Sequence, residues 1–478
     1  MVVSVATIPG PGTAVEISDE QLEGLGMQFR GAVLSPGDPG YDECRAVENL
    51  AVDRRPGLII RCSGPADVID GVNLAREHGF LLALRAGGHH VGGHGTVDGG
   101  LLLDLRDMNG VWVDTATKTV RVQGGATWGQ VDRETQQFGL AVPGGVVSTT
   151  GVAGLTLGGG IGWHHRKWGL SCDNLISAQV VLASGEVVTA SETENPDLFW
   201  GIRGGGGNFG VVTDFTFRAH TFGPDIALAA VFHEAAAGEE LLPQWRDLAI
   251  EAGDEVTTRA MYWSMPESDA LPPPVQGKDV FIIGALYAGQ PDKGAKVLEP
   301  FHALGTPLAD ISDHIPNYRA FQAGFDELSA NHHSYWKSTY LNELTDDAMA
   351  LIHERSMTKP DPRVLVHVPI MGGATAAVQP GETAFGDRSA PFMLSVDGNT
   401  YDGSNFETVK AWVSDFIEQA QELDGAAGGA YLNFSGDDAA EETVVQAQYG
   451  GNLERLRAVK QTYDPDNLFR VNNNIRPA

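Results

Sequence analysis

Five histidines stand in two tight groups: His89, His90 and His94 within AGGHHVGGHG, and His164 with His165 within GWHHRKWG. Imidazole can ligate a metal, move a proton or act as a nucleophile. Spacing argues against a metal. Two-histidine metal motifs set their ligands one helical turn apart or on facing strands, whereas this loop is mostly glycine, has no nearby cysteine and offers only Asp98 as a carboxylate. Gly205, Gly207 and Gly210 spell GxGxxG. A nicotinamide fingerprint needs a strand before it and a helix after it, and here a helix-like segment precedes and a strand-like one follows. No Walker lysine pattern occurs. An isolated glycine turn carrying a surface histidine is the plain alternative for residues 86–95, but it does not account for a second tract, GGVVSTTGVAGLTLGGGIG at 144–162, too interrupted for a regular helix and too apolar for an exposed linker. A backbone this permissive reads as wrapped round a ligand.

The charge says how such a ligand would be held. The chain has 478 residues, with 32 basic against 62 acidic side chains and a formal net charge of −30. That field repels phosphate backbones and anionic lipid, so neither nucleic acid nor a membrane surface is an expected partner. An anionic cofactor would depend on backbone amides and a few local cations. Cys44, Cys62 and Cys172 are too few and too scattered for a disulfide framework. With no signal-like leader and no apolar run of membrane-spanning length, a cytoplasmic protein is expected.

Hydrophobic periodicity supplies the elements that position these groups. LIIRC, LLALR, LLLDL, VWVD and TVRVQ read as strands, with a helix through Val68, Val72 and Ala75 stopped by Gly79 and another opening near Thr127. ISAQVVLASGEVVTAS reads as a hairpin, NPDLFWGIR as a helix and GVVTDFTFRA as a closing strand. The mixture is α+β. After about His220 the glycine clusters end, and longer strands such as TTRAMYWSM, VFIIGALYAG and RVLVHVPIM alternate with helical segments. The expected layout is a loose N-terminal arm and helix (1–39), a first domain (40–220), a second domain built on an antiparallel sheet covered by helices (221–430) and a C-terminal segment (431–478) that returns to the first.

RAGGHH at 85–90, GVAGLTLGGGIGW at 151–163, NPDLFWGIRGGGGNFGVVTDF at 195–215 and the terminal YDPDNLFRVNNNIRP together resemble the berberine bridge enzyme-like branch of the vanillyl-alcohol oxidase flavoproteins, over nearly the whole chain. The resemblance implies a PCMH-type FAD-binding fold. It places Arg85, Ala86, Gly87, Gly88 and His90 in the loop round the FAD pyrophosphate, and makes His89 the residue bonded to the flavin 8α carbon. Gly151, Gly154, Gly158, Gly159 and Gly162 join the same cradle. Neutral imidazole is a competent nucleophile for such a bond. Many relatives carry a second tether, a cysteine in C-x-x-V-G, at the position of Val147. The resemblance thus implies attachment through His89 only, with Cys172 not substituting, and favours a smaller substrate over an oligosaccharide.

Tyr431 and Asn433 match the family's Y-x-N segment, which puts the tyrosine over the reacting ring. Tyr431 is the candidate base, with Lys337 as a cationic neighbour; simple packing is the alternative role. Asn472 and Asn474 match the terminal motif near the flavin, with loop capping as the other reading. Asp387 stands in AFGDR where relatives carry histidine. Tyr262, Tyr287, Tyr335, Lys337, His367 and Met393 are candidates for the substrate wall, of which period-2 alternation allows about half. The expected activity is hydride transfer from an alcohol or amine carbon of a small molecule to covalent FAD, then to O2 giving H2O2, in a monomer or homodimer. A dehydrogenase with another acceptor and a flavin-retaining binding protein without turnover are the competing readings.

Overall fold

The computed structural model describes residues 3–7, 14–269, 271–326, 332–436 and 442–478. Helices and mainly antiparallel sheets are mixed, as the α+β reading requires. Three sheets matter for the site. A four-stranded sheet runs Val33–Leu34, Leu58–Arg61, Leu101–Asp104, Leu82–Arg85, with the last three strands parallel. Its strands are apolar on both faces, the pattern of a covered parallel sheet. Helix Pro65–His78 covers it, with proline in its first turn and Gly79 closing it in the left-handed conformation. A five-stranded antiparallel sheet follows, in the order Val187–Ser191, Leu175–Val181, Val211–Arg218, Thr119–Gln123, Val111–Asp114.

The third sheet has eight strands, in the order Ala309–Asp310, Ala227–Glu234, Asp279–Tyr287, Val256–Ser264, Leu365–Pro369, Phe392–Thr400, His333–Leu341, Ala426–Gly428. One of its faces packs a continuous apolar core against helices Gly238–Glu251, Pro291–His302, Asp346–Met357 and Phe406–Gln421. The other face is left for the site. This asymmetry fixes which strand residues can do chemistry, because side chains alternate between the faces.

Residues past Tyr431 pack with the five-stranded sheet, contributing Leu432, Tyr449, Leu456, Val459 and Ile475 to its core. Lys460 is fully buried there, yet its ammonium reaches Asp464 at 2.7 Å and the carbonyls of Asn208 and Phe469 at 2.7 and 2.8 Å. All three donors are used, which is what makes a buried ammonium tolerable.

Two local expectations are corrected. Val3–Ala6 is not a loose arm: it pairs with Ala14–Ile17, buries Val5 and bonds Gly99 through the Ala6 amide, because alternating valines found an apolar edge to cover. The second glycine tract contains a six-residue helix, Val152–Leu157, short enough to fit between its glycines.

Helix Trp128–Thr135 packs on helix Tyr318–Ala323 and carries Asp132 into that contact. Burial pushes Asp132 up to about 7, and its Oδ2 has no hydrogen-bond partner. The unfolded chain ionises near 3.8, so between these values it holds fewer protons than the fold and stability falls as pH rises. Asp132→Asn should abolish that fall and be the more stable protein near about pH 8, by at most about 4 kcal/mol. Urea unfolding at about pH 5 and about pH 8 reads the difference.

Candidate active site

The sequence sends two loops to one place. Strand Leu82–Arg85 runs into the Ala86–His90 loop, and Val146 to Leu157 passes beside it. They touch backbone to backbone: a Cβ on Gly87 would lie 2.3 Å from the Gly151 amide nitrogen, and one on Gly151 would lie 2.4 Å from that of Gly87. Only hydrogen fits at both positions. Behind the contact opens a deep cavity whose wall includes Ala86, Gly87, Gly88, His89, His90, Gly151, Gly154 and Gly158. Gly206, Gly207 and Gly210 line it too. Two glycines of the GxGxxG string set aside as a nicotinamide fingerprint, Gly207 and Gly210, are therefore part of this cradle, reached from a helix and leading into a strand.

His89 faces the cavity with its Nε2 buried and unpartnered, 3.8 Å from Glu48 Oε1. Burial holds its pKa below the usual imidazole value despite Glu48, so the ring is neutral near pH 7. Burial likewise lowers His90, to about 4, and its Nδ1 accepts from the Gly92 amide at 3.1 Å. Arg85 does not line the cavity. Its guanidinium turns under the loop to the Cys44 carbonyl, with Nε 3.2 Å from where a Gly88 Cβ would stand, so it props the loop from behind. Gly159 and Gly162 also stand behind the wall, against Phe385 and the Gly144 carbonyl. Val147 lines the cavity, while Cys172 is buried outside it beside Arg388.

From the opposite end, Tyr431 presents its phenol to the same space. Its oxygen accepts from the amides of Gly160 at 3.2 Å and Ile161 at 3.0 Å, and from Asn433 Nδ2 at 2.8 Å. Burial raises the Tyr431 pKa to about 12, and these three donors oppose the rise. Among the described residues this hydroxyl has no acceptor for its own proton. Asn433 is held in turn by the Leu155 carbonyl at 3.1 Å. Asn472 lines the cavity with its Nδ2 on the Gly207 and Phe469 carbonyls and its Oδ1 buried and free of partners. Asn474 has an equally unpartnered Oδ1 but is not in the wall.

The eight-stranded sheet closes the cavity with one face only. Ser334 and Trp336 pair with Asn399 and Asp397, and Met261 pairs with His367; all six line the space, with Arg259, Trp263 and Leu365. Lys337 is one residue out of phase. It lies over the Tyr335 ring at 5.8 Å, on the helix-covered face where Tyr335 meets Ser414 and Lys410. It is not a neighbour of Tyr431. Tyr262, Tyr287 and Tyr335 belong to the helix-side core, Met393 packs behind Tyr431, and of the six proposed wall residues only His367 faces the cavity. Asp387 is exposed and caps Ser389.

The comparisons agree with this geometry. Residues 56–191 match a family described as FAD binding domain, and residues 430–476 one described as Berberine and berberine like. The chain is 30% identical over 461 residues to an uncharacterised FAD-linked oxidoreductase of Bacillus subtilis (strain 168), covering 94% of this chain and 98% of that protein. It therefore belongs to the berberine bridge enzyme-like FAD-linked oxidoreductases. It is also 30% identical over 466 residues to (R)-6-hydroxynicotine oxidase of Paenarthrobacter nicotinovorans, covering 94% and 98% of the two chains. The crystal structure of 6-hydroxy-D-nicotine oxidase from Arthrobacter nicotinovorans superposes with a TM-score of 0.82 at 26% identity, over 94% of this chain and 98% of that one. The chain is thus an FAD-dependent oxidoreductase, and the amide-lined cradle, the unpartnered His89 Nε2 and the free Asn472 oxygen fit that cofactor. Among the described residues, no helix is long and apolar enough to cross a membrane.

Gly87→Ala tests the cradle. The added methyl meets backbone, which cannot swing aside as a side chain would, so the purified variant should carry less than half the flavin per chain of the parent. The ratio of visible to ultraviolet protein absorbance measures it.

Proposed function

We propose that this enzyme is an oxidase of a small alcohol or amine, with FAD bonded to His89 alone and Tyr431 as the base. The observation that carries the reading is the phenol oxygen of Tyr431, gathered by three N–H donors at the wall of the cavity that also receives His89. FAD supplies a two-electron acceptor for the substrate hydride and returns the pair to O2 as H2O2.

The residues of the chain do the rest. Three donors aimed at one oxygen favour its anionic form, which can accept the hydroxyl or amine proton as hydride leaves the adjacent carbon. The neutral His89 ring has a lone pair available for a bond to the 8α carbon. Val147, in the wall where many relatives carry a second tether, has no nucleophile to offer, and burial among apolar neighbours raises the Cys172 thiol and keeps it inert. Trp336 and Phe434 meet edge to face at 5.6 Å beside Tyr431, an apolar setting suited to a small ring.

Acid precipitation followed by mass spectrometry of the His89 peptide tests the tether. The peptide should be heavier by one FAD and the pellet should stay yellow; His89→Ala should lose the adduct. Colour that passes wholly into the supernatant rejects it.

The base is tested by flavin reduction in a stopped-flow mixer, using whichever alcohol or amine of a panel bleaches the flavin fastest. Because the phenol must deprotonate, the rate should rise with pH. Asn433→Ala removes a donor and should displace that limb upward by about one pH unit, while Tyr431→Phe should slow reduction by about 10²- to 10⁴-fold. A phenylalanine variant as fast as the parent would leave Tyr431 a packing residue. Oxygen uptake with H2O2 release, read on an oxygen electrode, separates an oxidase from a dehydrogenase.

A further inference from the structure

Arg259 is the unexplained group in the cavity. It sits in the middle of strand Val256–Ser264, only 6% exposed, on the face that looks into the site. Its Cζ lies 4.3 Å above the Trp163 ring, which fixes the guanidinium plane. The strand neighbour opposite is Gly284, and a Cβ there would come within 3.4 Å of Trp163 and 3.2 Å of Met261. The missing methyl leaves room for the stack.

The Arg259 Nε is buried without a partner, and no carboxylate lies within 4.0 Å of it among the described residues. Asp397, the nearest acidic influence, is committed elsewhere: it accepts from Ser395 Oγ at 2.7 Å and faces His367 Nε2 at 3.4 Å. A buried guanidinium costs several kcal/mol when unpaired; Arg388, also buried, makes a two-pronged bridge to Asp173 at 2.6 and 2.8 Å. Arg259 lines the same cavity as Met261, Trp263, Trp336, His367 and Phe434.

We propose that Arg259 is the specificity residue for a carboxylate on the substrate, so that this enzyme oxidises a small aromatic acid bearing an alcohol or amine rather than a neutral or cationic molecule. The reading rests on the proposed function and narrows it. A planar carboxylate matches the guanidinium fork, and the aromatic walls match a ring between that anchor and the reacting carbon. In a chain of net charge −30 such a substrate needs a local cation to enter at all.

The test uses purified holoprotein, its flavin content measured first, so that a colourless chain would count against the proposed function and not against this anchor. Sodium benzoate and its neutral analogue benzamide are titrated separately, with calorimetry and the flavin absorbance band as readouts. Benzoate should bind at least about tenfold more tightly than benzamide. Arg259→Met should weaken benzoate by about 10- to 100-fold and benzamide by no more than about threefold, with Arg259→Lys in between. Benzoate and benzamide binding alike in the parent, or both failing to bind, overturns the proposal. So does an Arg259→Met protein that keeps the benzoate preference while its flavin absorbance shifts, which would assign the guanidinium to the cofactor's edge. Should that variant fail to fold, the parent contrast and Arg259→Lys decide.

Discussion

Tyr431 ties together the parts of the chain that build the site. Its amide donates to Ser338 Oγ on the eight-stranded sheet at 3.0 Å, its phenol oxygen takes two amides from the second glycine tract, and Asn433, two residues on, bonds both that oxygen and the Leu155 carbonyl. Sheet, tract and C-terminal segment meet on one side chain. If these contacts loosened, the sheet face and the glycine cradle would lose their common reference. Convergent donors on this buried oxygen hold the phenol in place and oppose the rise in its pKa that burial causes.

The second constraint is electrostatic. A strongly acidic chain has few cations to lend to an anionic cofactor, and it spends backbone instead. Gly87 and Gly151 approach so closely that side chains are excluded, which turns two stretches of amide into cavity wall. Arg85 shows the same economy from behind, since it supports the loop through the Cys44 carbonyl and does not enter the cavity. Arg259 is the exception, a buried cation in the wall of the cavity.

How much of this the sequence disclosed depended on whether a residue's role was local. The His89 loop was legible because its chemistry and its glycines are adjacent in the chain. Helix ends at Gly79 and Thr127 were legible because caps are local hydrogen-bond problems. Lys337 was misplaced for the opposite reason. Alternation shows that Tyr335 and Lys337 share a face but not which face the helices cover; that is settled by Val409 and Val413 of the helix Phe406–Gln421, which press on Gly398 opposite Tyr335. Arg259 escaped notice because an arginine in TTRAMYWSM reads as an edge or surface residue. The available signal was its position at the centre of a strand otherwise fit for burial. The part that Gly207 and Gly210 play in this cavity depends on pairing with a tract about fifty residues away, and no local pattern carries that information.

Lys460 and Arg259 show how one physical cost can be resolved in two ways. Both cations are buried, and burial lowers the pKa of each. Lys460 has a carboxylate and two carbonyls, so its charge is satisfied within the fold and serves to fasten the C-terminal segment that carries Asn472 and Asn473 to the cavity. Arg259 has an aromatic face and, among the described residues, no carboxylate within 4.0 Å and no partner for its Nε. Folding alone gives no reason to keep it, since methionine or leucine would fill the same volume without the desolvation cost. A group whose burial destabilises the empty protein is retained where a ligand repays it, and the same logic applies to the His89 nitrogen and the Asn472 oxygen on the other side of the cavity.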